Sequence, residues 1–168
     1  MNILLVCLAL VFSASNLAAS EAVERGYQVI VEEKSNPLVN DIILHGLQSF
    51  NLPFFQQKDC QFFSIYAVDE NHQIIGGLCG DILGRTANVD YAWVDEEKRR
   101  QGIATQLFSQ LESFAQSKGC KYIQLFTYEF QAKEFYEKLG FECIAIISNW
   151  IEGHDAIFFR KGLKLHRL

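Results

Sequence analysis

Val94-Asp95-Glu96-Glu97-Lys98-Arg99-Arg100-Gln101-Gly102-Ile103-Ala104 is the stretch in which an apolar and aromatic run stops, charges crowd together and a long amphipathic pattern begins. Alternation at Val89, Tyr91 and Trp93 gives way to helical spacing at Ile103, Leu107, Leu111 and Ala115, so the stretch reads as strand, loop and helix. Lys98, Arg99 and Arg100 then stand at a helix N-terminus, where the dipole and the unpaired N–H groups favour acids over bases. An anion at this turn accounts for them. It would meet free N–H groups, the positive helix end and, at Gly102, a backbone with no side chain in the way. The plain alternative is a solvated basic loop answered by Glu96 and Glu97.

Outward from this stretch, Gly119 supplies an αL stop after Lys118, and Tyr122 to Thr127 forms the next strand. That strand-helix-strand crossover implies a parallel pair. Upstream, Phe62 to Val68 and Ile74 to Leu83 are joined by the short polar connection Asp69-Glu70-Asn71-His72, the pattern of an antiparallel hairpin, and a third strand runs from about Thr86 to Val94. Gly76, Gly77 and Gly80 interrupt the second strand and mark a bulge or a close approach to the backbone. Tyr27 to Glu33 alternates as a further strand. Pro37 opens a helix with Leu38, Ile42, Ile43, Leu47 and Phe50 on one stripe, which the pattern places over a sheet face. A second helix near Gln131 to Leu139 ends at Gly140, and Phe141 to Ser148 and Ala156 to Phe159 close the sheet. The fold class is therefore mixed α/β (α+β), with one single domain over residues 27–163 and a basic tail at 164–168.

With 168 residues, 49% hydrophobic and 21% charged, the chain suffices for one ordinary globular core. A net charge of −5 with no basic face beyond residues 98–100 argues against nucleic acid as a partner. The five cysteines lack any C-x-x-C pair or neighbouring histidine, so neither a metal site nor a redox dithiol is expected, and Cys79, Cys120 and Cys143 read as buried thiols. Arg160, Lys161, Lys164 and Arg167 read as a solvated terminus or as help for an anionic cofactor. Residues 1–20 carry no charged side chain. Their apolar block followed by small residues has the outline of a signal peptide, too short to insert stably in a membrane; a misassigned start is the other reading.

Arg99-x-x-Gly102-x-Ala104 at a strand-loop-helix junction resembles the Arg/Gln-x-x-Gly-x-Gly/Ala signature of GCN5-related N-acetyltransferases (GNAT). Ala132-x-x-Phe135-Tyr136-Glu137-Lys138-Leu139-Gly140-Phe141, preceded by Phe130-Gln131, is similar to the second motif of small bacterial members, and the resemblance covers Tyr27 to Leu163. It implies a GNAT-like three-layer α/β/α fold whose mostly antiparallel sheet contains one splayed parallel pair. The implied activity is transfer of an acetyl group from acetyl-CoA, as co-substrate and without a metal, to a primary amine of a small molecule, protein or peptide by direct attack on the thioester.

The resemblance assigns cofactor binding to Ala92, Trp93, Val94, Arg99, Arg100, Gln101, Gly102, Ile103, Ala104, Thr105, Gln131 and Tyr136, with acetyl-CoA in the splay between Trp93 and Ile123. Tyr136 is the candidate acid for the departing thiolate, since a phenol donates without being charged at pH 7. Asp90, which strict alternation places on one strand face with Asn88, Ala92 and Val94, is the candidate base, against the plain reading of a solvated carboxylate. Glu32, Glu129 and His154 are lesser candidates, and Glu129 stands where many relatives have Asn. The acceptor falls to the variable segments around Leu38 to Phe55 and Trp150 to Asp155. Acetyl-CoA dependence implies the cytoplasm unless the leader directs export, and edge-strand homodimers are a further expectation. The other function weighed is a CoA-binding sensor or exported effector without turnover.

Overall fold

The computed structural model describes residues 26–54 and 60–164. The leader at residues 1–20, Phe55, Arg167 and most of the tail lie outside them. The described chain falls into two compact units that part between Phe50 and Asn51.

The first unit holds all but the last residue of helix α1 (Pro37–Asn51). Asn36 sits before Pro37 and its side-chain oxygen accepts the Val39 N–H at 3.5 Å, while Pro37 occupies the first helical position, where no N–H is needed. Tyr27 to Glu33 forms no strand, contrary to its alternating pattern. Alternation favours extended backbone, but a strand exists only where a neighbour takes its N–H and C=O groups, and this segment is not among the six strands of the sheet.

The second unit is a six-stranded sheet in the order β1-β2-β3-β4-β6-β5: β1 (Cys60–Val68), β2 (Ile74–Leu83), β3 (Thr86–Val94), β4 (Tyr122–Tyr128), β5 (Glu142–Ile151) and β6 (His154–Gly162). Every neighbouring pair is antiparallel except β3 and β4, which run parallel across the crossover. Helix α2 (Ile103–Ser117) fills that crossover and packs on β1, β2 and β3. Its buried stripe is Leu107, Phe108, Leu111 and Ala115. Gly119, at φ +75°, ends it. Helix α3 (Lys133–Lys138) lies beside it, with Phe108 meeting Phe135, Tyr136 and Phe141 edge-on at 5.7–5.9 Å between centroids.

Two features of the sheet position the site. The parallel pairing of β3 with β4 runs only from Thr86↔Tyr122 to Val89↔Leu125. Beyond it β4 stays with β6 through Tyr128, while β3 stays with β2 through Val94, so the two strands part. At that point β3 also carries a bulge: Cys79 faces Tyr91 and Gly80 faces Val89, which leaves Asp90 as the extra residue. Gly80 makes room for it, because a Cβ there would lie 1.9 Å from the Asn88 carbonyl oxygen.

The bulge resets the alternation. Ala92 is the partner of Leu78, a core residue, so Ala92 and Val94 continue the helix-side face of Val89, and Asn88 belongs to the other face with Asp81. The shared face expected for Asn88, Asp90, Ala92 and Val94 is thereby corrected.

The ends of the last hairpin also differ from expectation. β5 continues to Ile151 and β6 begins at His154, so Trp150 is in a strand. Asn149, at φ 55°, takes the Gly153 N–H on its side-chain oxygen at 2.7 Å and makes the tight turn. Cys120 is buried and its thiol is pushed up by that burial, but Cys143 is exposed on the edge strand, where a neighbour on one side only leaves it uncovered. Among the described residues no helix is long and apolar enough to cross a membrane.

Candidate active site

A cleft of about 580 Å³ runs along the helix-side face from the start of α2 to α3. One wall is the end of β3, Ala92, Trp93 and Val94, with Gly77 and Leu78 of β2 beside it. Its mouth is the loop carrying Lys98, Arg99, Arg100 and Gly102, and its floor is Ile103, Ala104, Thr105, Leu107 and Phe108. Ala132, Phe135 and Tyr136 close the far end.

The mouth is built for an anion. Asp95 accepts the Glu97 N–H at 2.9 Å and winds Glu96–Lys98 into one turn of 3-10 helix. The chain then passes Arg100 at φ 63° and Gly102 at φ 82°, two left-handed residues of the kind found in backbone concavities that bind anions. Gly102 is the N-cap of α2 but offers no side chain to cap it, and the first intrahelical bond is Gln106 N–H to the Gly102 carbonyl at 3.0 Å. The N–H groups of Ile103, Ala104 and Thr105 therefore have no intrahelical acceptor. Arg99 donates from Nε to the Val94 carbonyl at 3.2 Å, tying the loop to the strand end. Its 4.0 Å pair with Glu96 is solvent-exposed and contributes little, so Glu96 does not neutralise the loop.

Tyr136 stands at the other end. It is 8% exposed, ringed by Phe108, Phe135, Phe141 and Phe159 at 5.4–5.9 Å, and burial raises its phenol above the usual 10.0. It is thus a protonated donor at neutral pH.

Most of the residues expected from the sequence meet here: Ala92, Trp93, Val94, Arg99, Arg100, Gly102, Ile103, Ala104, Thr105 and Tyr136. Gln101 and Gln131 do not line the cleft. Gln101 donates to the Glu97 carbonyl at 3.2 Å, and the Gln131 oxygen takes the Thr127 hydroxyl at 2.8 Å and the Tyr128 N–H at 3.1 Å. Gln131 braces the approach to α3. Ile123 is fully buried and pairs with Ala87 below the point where the strands part, so it does not line the splay; Phe126 to Tyr128 are the β4 residues beyond that point.

Asp90 lines a second, smaller cleft of about 230 Å³ at the split between β3 and β4, together with Asn88, Gln124 and Phe126. Glu129 and His154 hold each other at 3.2 Å across the base of the β5–β6 turn, and Glu32 lies in the first unit, where Asn36 donates to it at 3.4 Å. Arg160 is bound within the sheet to Gln124, Lys161 is bound to Glu112 of α2 and to the Leu139 carbonyl at the end of α3, and neither lines the larger cleft. Phe108 carries no sequence signal for a site and Phe135 only its place in the second motif, yet both line the cleft.

The sequence profile of the Acetyltransferase (GNAT) family matches residues 23–141. The chain belongs to the GNAT acetyltransferase family. Over 102 residues, 60% of this chain and 75% of the relative, it is 30% identical to the blasticidin-S acetyltransferase of Streptomyces morookaense. The crystal structure of an acetyltransferase from Bacillus cereus, at 28% identity, matches with a TM-score of 0.71 over 80% of this chain and 98% of that one. An aminoglycoside 6'-N-acetyltransferase crystallised with coenzyme A shares the fold at 17% identity, with a TM-score of 0.57 over 84% of this chain and the whole of the other. As a GNAT member the chain is an N-acetyltransferase dependent on acetyl-CoA. The mixed sheet, its one parallel pair and the split between those strands agree with the architecture that the two motifs implied.

Proposed function

We propose that the larger cleft holds acetyl-CoA and that the acetyl group passes through the split between β3 and β4 to a primary amine on the other side. One observation carries this reading: the same cleft joins an uncapped helix start under Lys98, Arg99 and Arg100 to a buried, protonated Tyr136 along the open edge of β3.

In this reading the N–H groups from Gly102 to Thr105 take the pyrophosphate, each charge-assisted bond contributing about 1.5–3 kcal/mol, and Lys98 and Arg100 add long-range attraction. Ala92, Trp93 and Val94 give the pantetheine arm strand-like partners where β4 has turned away. An N–H of that segment polarises the thioester carbonyl. Tyr136 protonates the sulfur as it leaves, and Asp90, across the split, takes a proton from the attacking amine. The acceptor is the amine of a small molecule, as the name of the blasticidin-S relative indicates for that enzyme, or of a peptide.

The test is a panel of primary amines, blasticidin S and short peptides included, incubated with acetyl-CoA and followed by release of CoA thiol. Thiol release with at least one amine is expected. Tight CoA binding with no amine consumed would overturn the reading in favour of a CoA sensor.

A further inference from the structure

Helix α3, which carries Tyr136, is six residues long, too short to hold its place by its own hydrogen bonds. Its C-terminal end closes as a Schellman motif: Gly140, at φ 82°, donates to the Glu137 carbonyl at 2.9 Å, and Phe141 donates to the Tyr136 carbonyl at 3.0 Å. The rings of Tyr136 and Phe141 meet over that turn, 5.9 Å between centroids. The Leu139 carbonyl lies outside those two bonds, and a side chain from the sheet takes it. Lys161 Nζ donates to it at 2.6 Å.

Lys161 reaches this point from β6, where it pairs with Ile123 of β4. The same ammonium donates to Glu112 Oε1 of α2 at 2.6 Å, and the two side chains are only 21% and 29% exposed. One cation thus joins the sheet, the helix whose start forms the mouth of the larger cleft, and the helix whose phenol closes its far end. A charge-assisted bond shielded from water is short and directional, and it does not slide. Ring contacts differ, since aromatic pairs accept centroid separations of about 4.5–7 Å. Phe108, Phe135, Phe141 and Phe159 therefore surround the Tyr136 ring without fixing it. The place of the phenol is decided by the place of α3.

We propose that Lys161 is a positioning residue for the transfer reaction: by tying Leu139 to Glu112 it sets where α3 stands against α2, and so where the Tyr136 hydroxyl meets the departing sulfur. The proposal rests on the reading of Tyr136 as the acid and adds the group that aims it. Lys161 lines neither cleft, so its loss should change the rate and spare the binding of acetyl-CoA.

The experiment is a double-mutant cycle of Lys161→Met and Tyr136→Phe, with acetyl-CoA and a primary amine that responds in the panel, at one temperature 15 °C below the midpoint of the least stable variant. Lys161→Met is expected to lower kcat about tenfold, within the range for a small misplacement of a reacting group, with the acetyl-CoA KM held within twofold. In the Tyr136→Phe background the same substitution should change kcat by less than about twofold, because the hydroxyl it aims is already gone. Glu112→Gln keeps an oxygen for the ammonium but not the charge; it should give a smaller kcat loss that also vanishes in Tyr136→Phe, and it serves if Lys161→Met folds poorly. Tyrosine-labelled NMR spectra read the ring without any acceptor: of the six tyrosines, Tyr136 should shift in Lys161→Met while Tyr66 and Tyr91 stay. Unchanged kcat, an equal loss in both backgrounds, a matching rise in the acetyl-CoA KM, or a Tyr136 resonance left in place overturns the positioning role. Full turnover in Tyr136→Phe alone overturns the acid reading instead, and no thiol release with any amine overturns transfer itself; neither result alters what the NMR spectra say of Lys161.

Discussion

Gly80→Ala is the substitution that reaches furthest through this fold. The added methyl would lie 1.9 Å from the Asn88 carbonyl oxygen, 2.9 Å from its carbon and 3.1 Å from Val89 Cα. All three are backbone atoms of β3, so no side chain can swing aside and the strand itself must move. Overpacking of a core costs about 1–3 kcal/mol, and with backbone on the receiving side the upper end applies. For a chain of this size each kcal/mol lowers the melting temperature by roughly 2–4 °C, so a drop of roughly 6–12 °C is expected.

The second consequence is functional. The clash lies where Asp90 is the extra residue, and a β3 relieved of its bulge would turn Ala92 and Val94 off the helix-side face and dismantle a cleft wall. CoA affinity should therefore fall at temperatures where the variant is still folded. Thermal melts by circular dichroism, paired with calorimetric CoA titration at 15 °C below the variant's own midpoint, separate the two effects. A variant that melts within 2 °C of wild type and binds CoA unchanged would refute the bulge and the phase reset built on it.

Tyr136→Phe should lower kcat about 10²-fold, the lower end of general acid contributions, while leaving the acetyl-CoA KM within twofold. Unchanged turnover would remove the acid assignment. The same residue predicts a pH effect: its folded pKa is raised above the usual 10.0, so the unfolded chain loses this proton first, and the stability it contributes is intact below pH 10 and lost as pH rises through the folded value. Urea melts from pH 8 to 11 should show a smaller alkaline decline in Tyr136→Phe than in wild type; equal declines would contradict the burial argument. Lys161→Met should destabilise by about 1–3 kcal/mol, because the half-buried Glu112 carboxylate and the Leu139 carbonyl at the end of α3 both lose a 2.6 Å donor. A neutral result in urea denaturation would show that water replaces the ammonium there.

The places where chain direction and backbone sign must change were legible in the sequence, because glycine marks them. Gly102, Gly119 and Gly140 all stand at positive φ where a helix starts or has just ended. The two motifs also located the cleft, since they lie at its two ends. What escaped was phase. Alternation through Asn88, Asp90, Ala92 and Val94 is continuous in the sequence, and only the close approach of Gly80 to Asn88 reveals that one residue is extra.

Occupancy escaped too. Gln131 is a plausible cofactor ligand by motif position, but Thr127, buried inside β4, needs its oxygen first. Nothing in the sequence singles out Phe108, because helical periodicity cannot separate a core wall from a cleft floor. Tyr27 to Glu33 alternates as a strand should, yet alternation carries no information about whether a partner strand exists.

The most direct measurement is an NMR titration of isotope-labelled protein with CoA. The amide resonances of Ile103, Ala104 and Thr105 should shift downfield and saturate along one binding curve with the Trp93 indole, because those N–H groups gain phosphate acceptors while the strand end gains the pantetheine arm. Saturable CoA binding that leaves the three amides in place, or that instead shifts Asn88 and Gln124 on the opposite face, would contradict the placement of acetyl-CoA in the larger cleft.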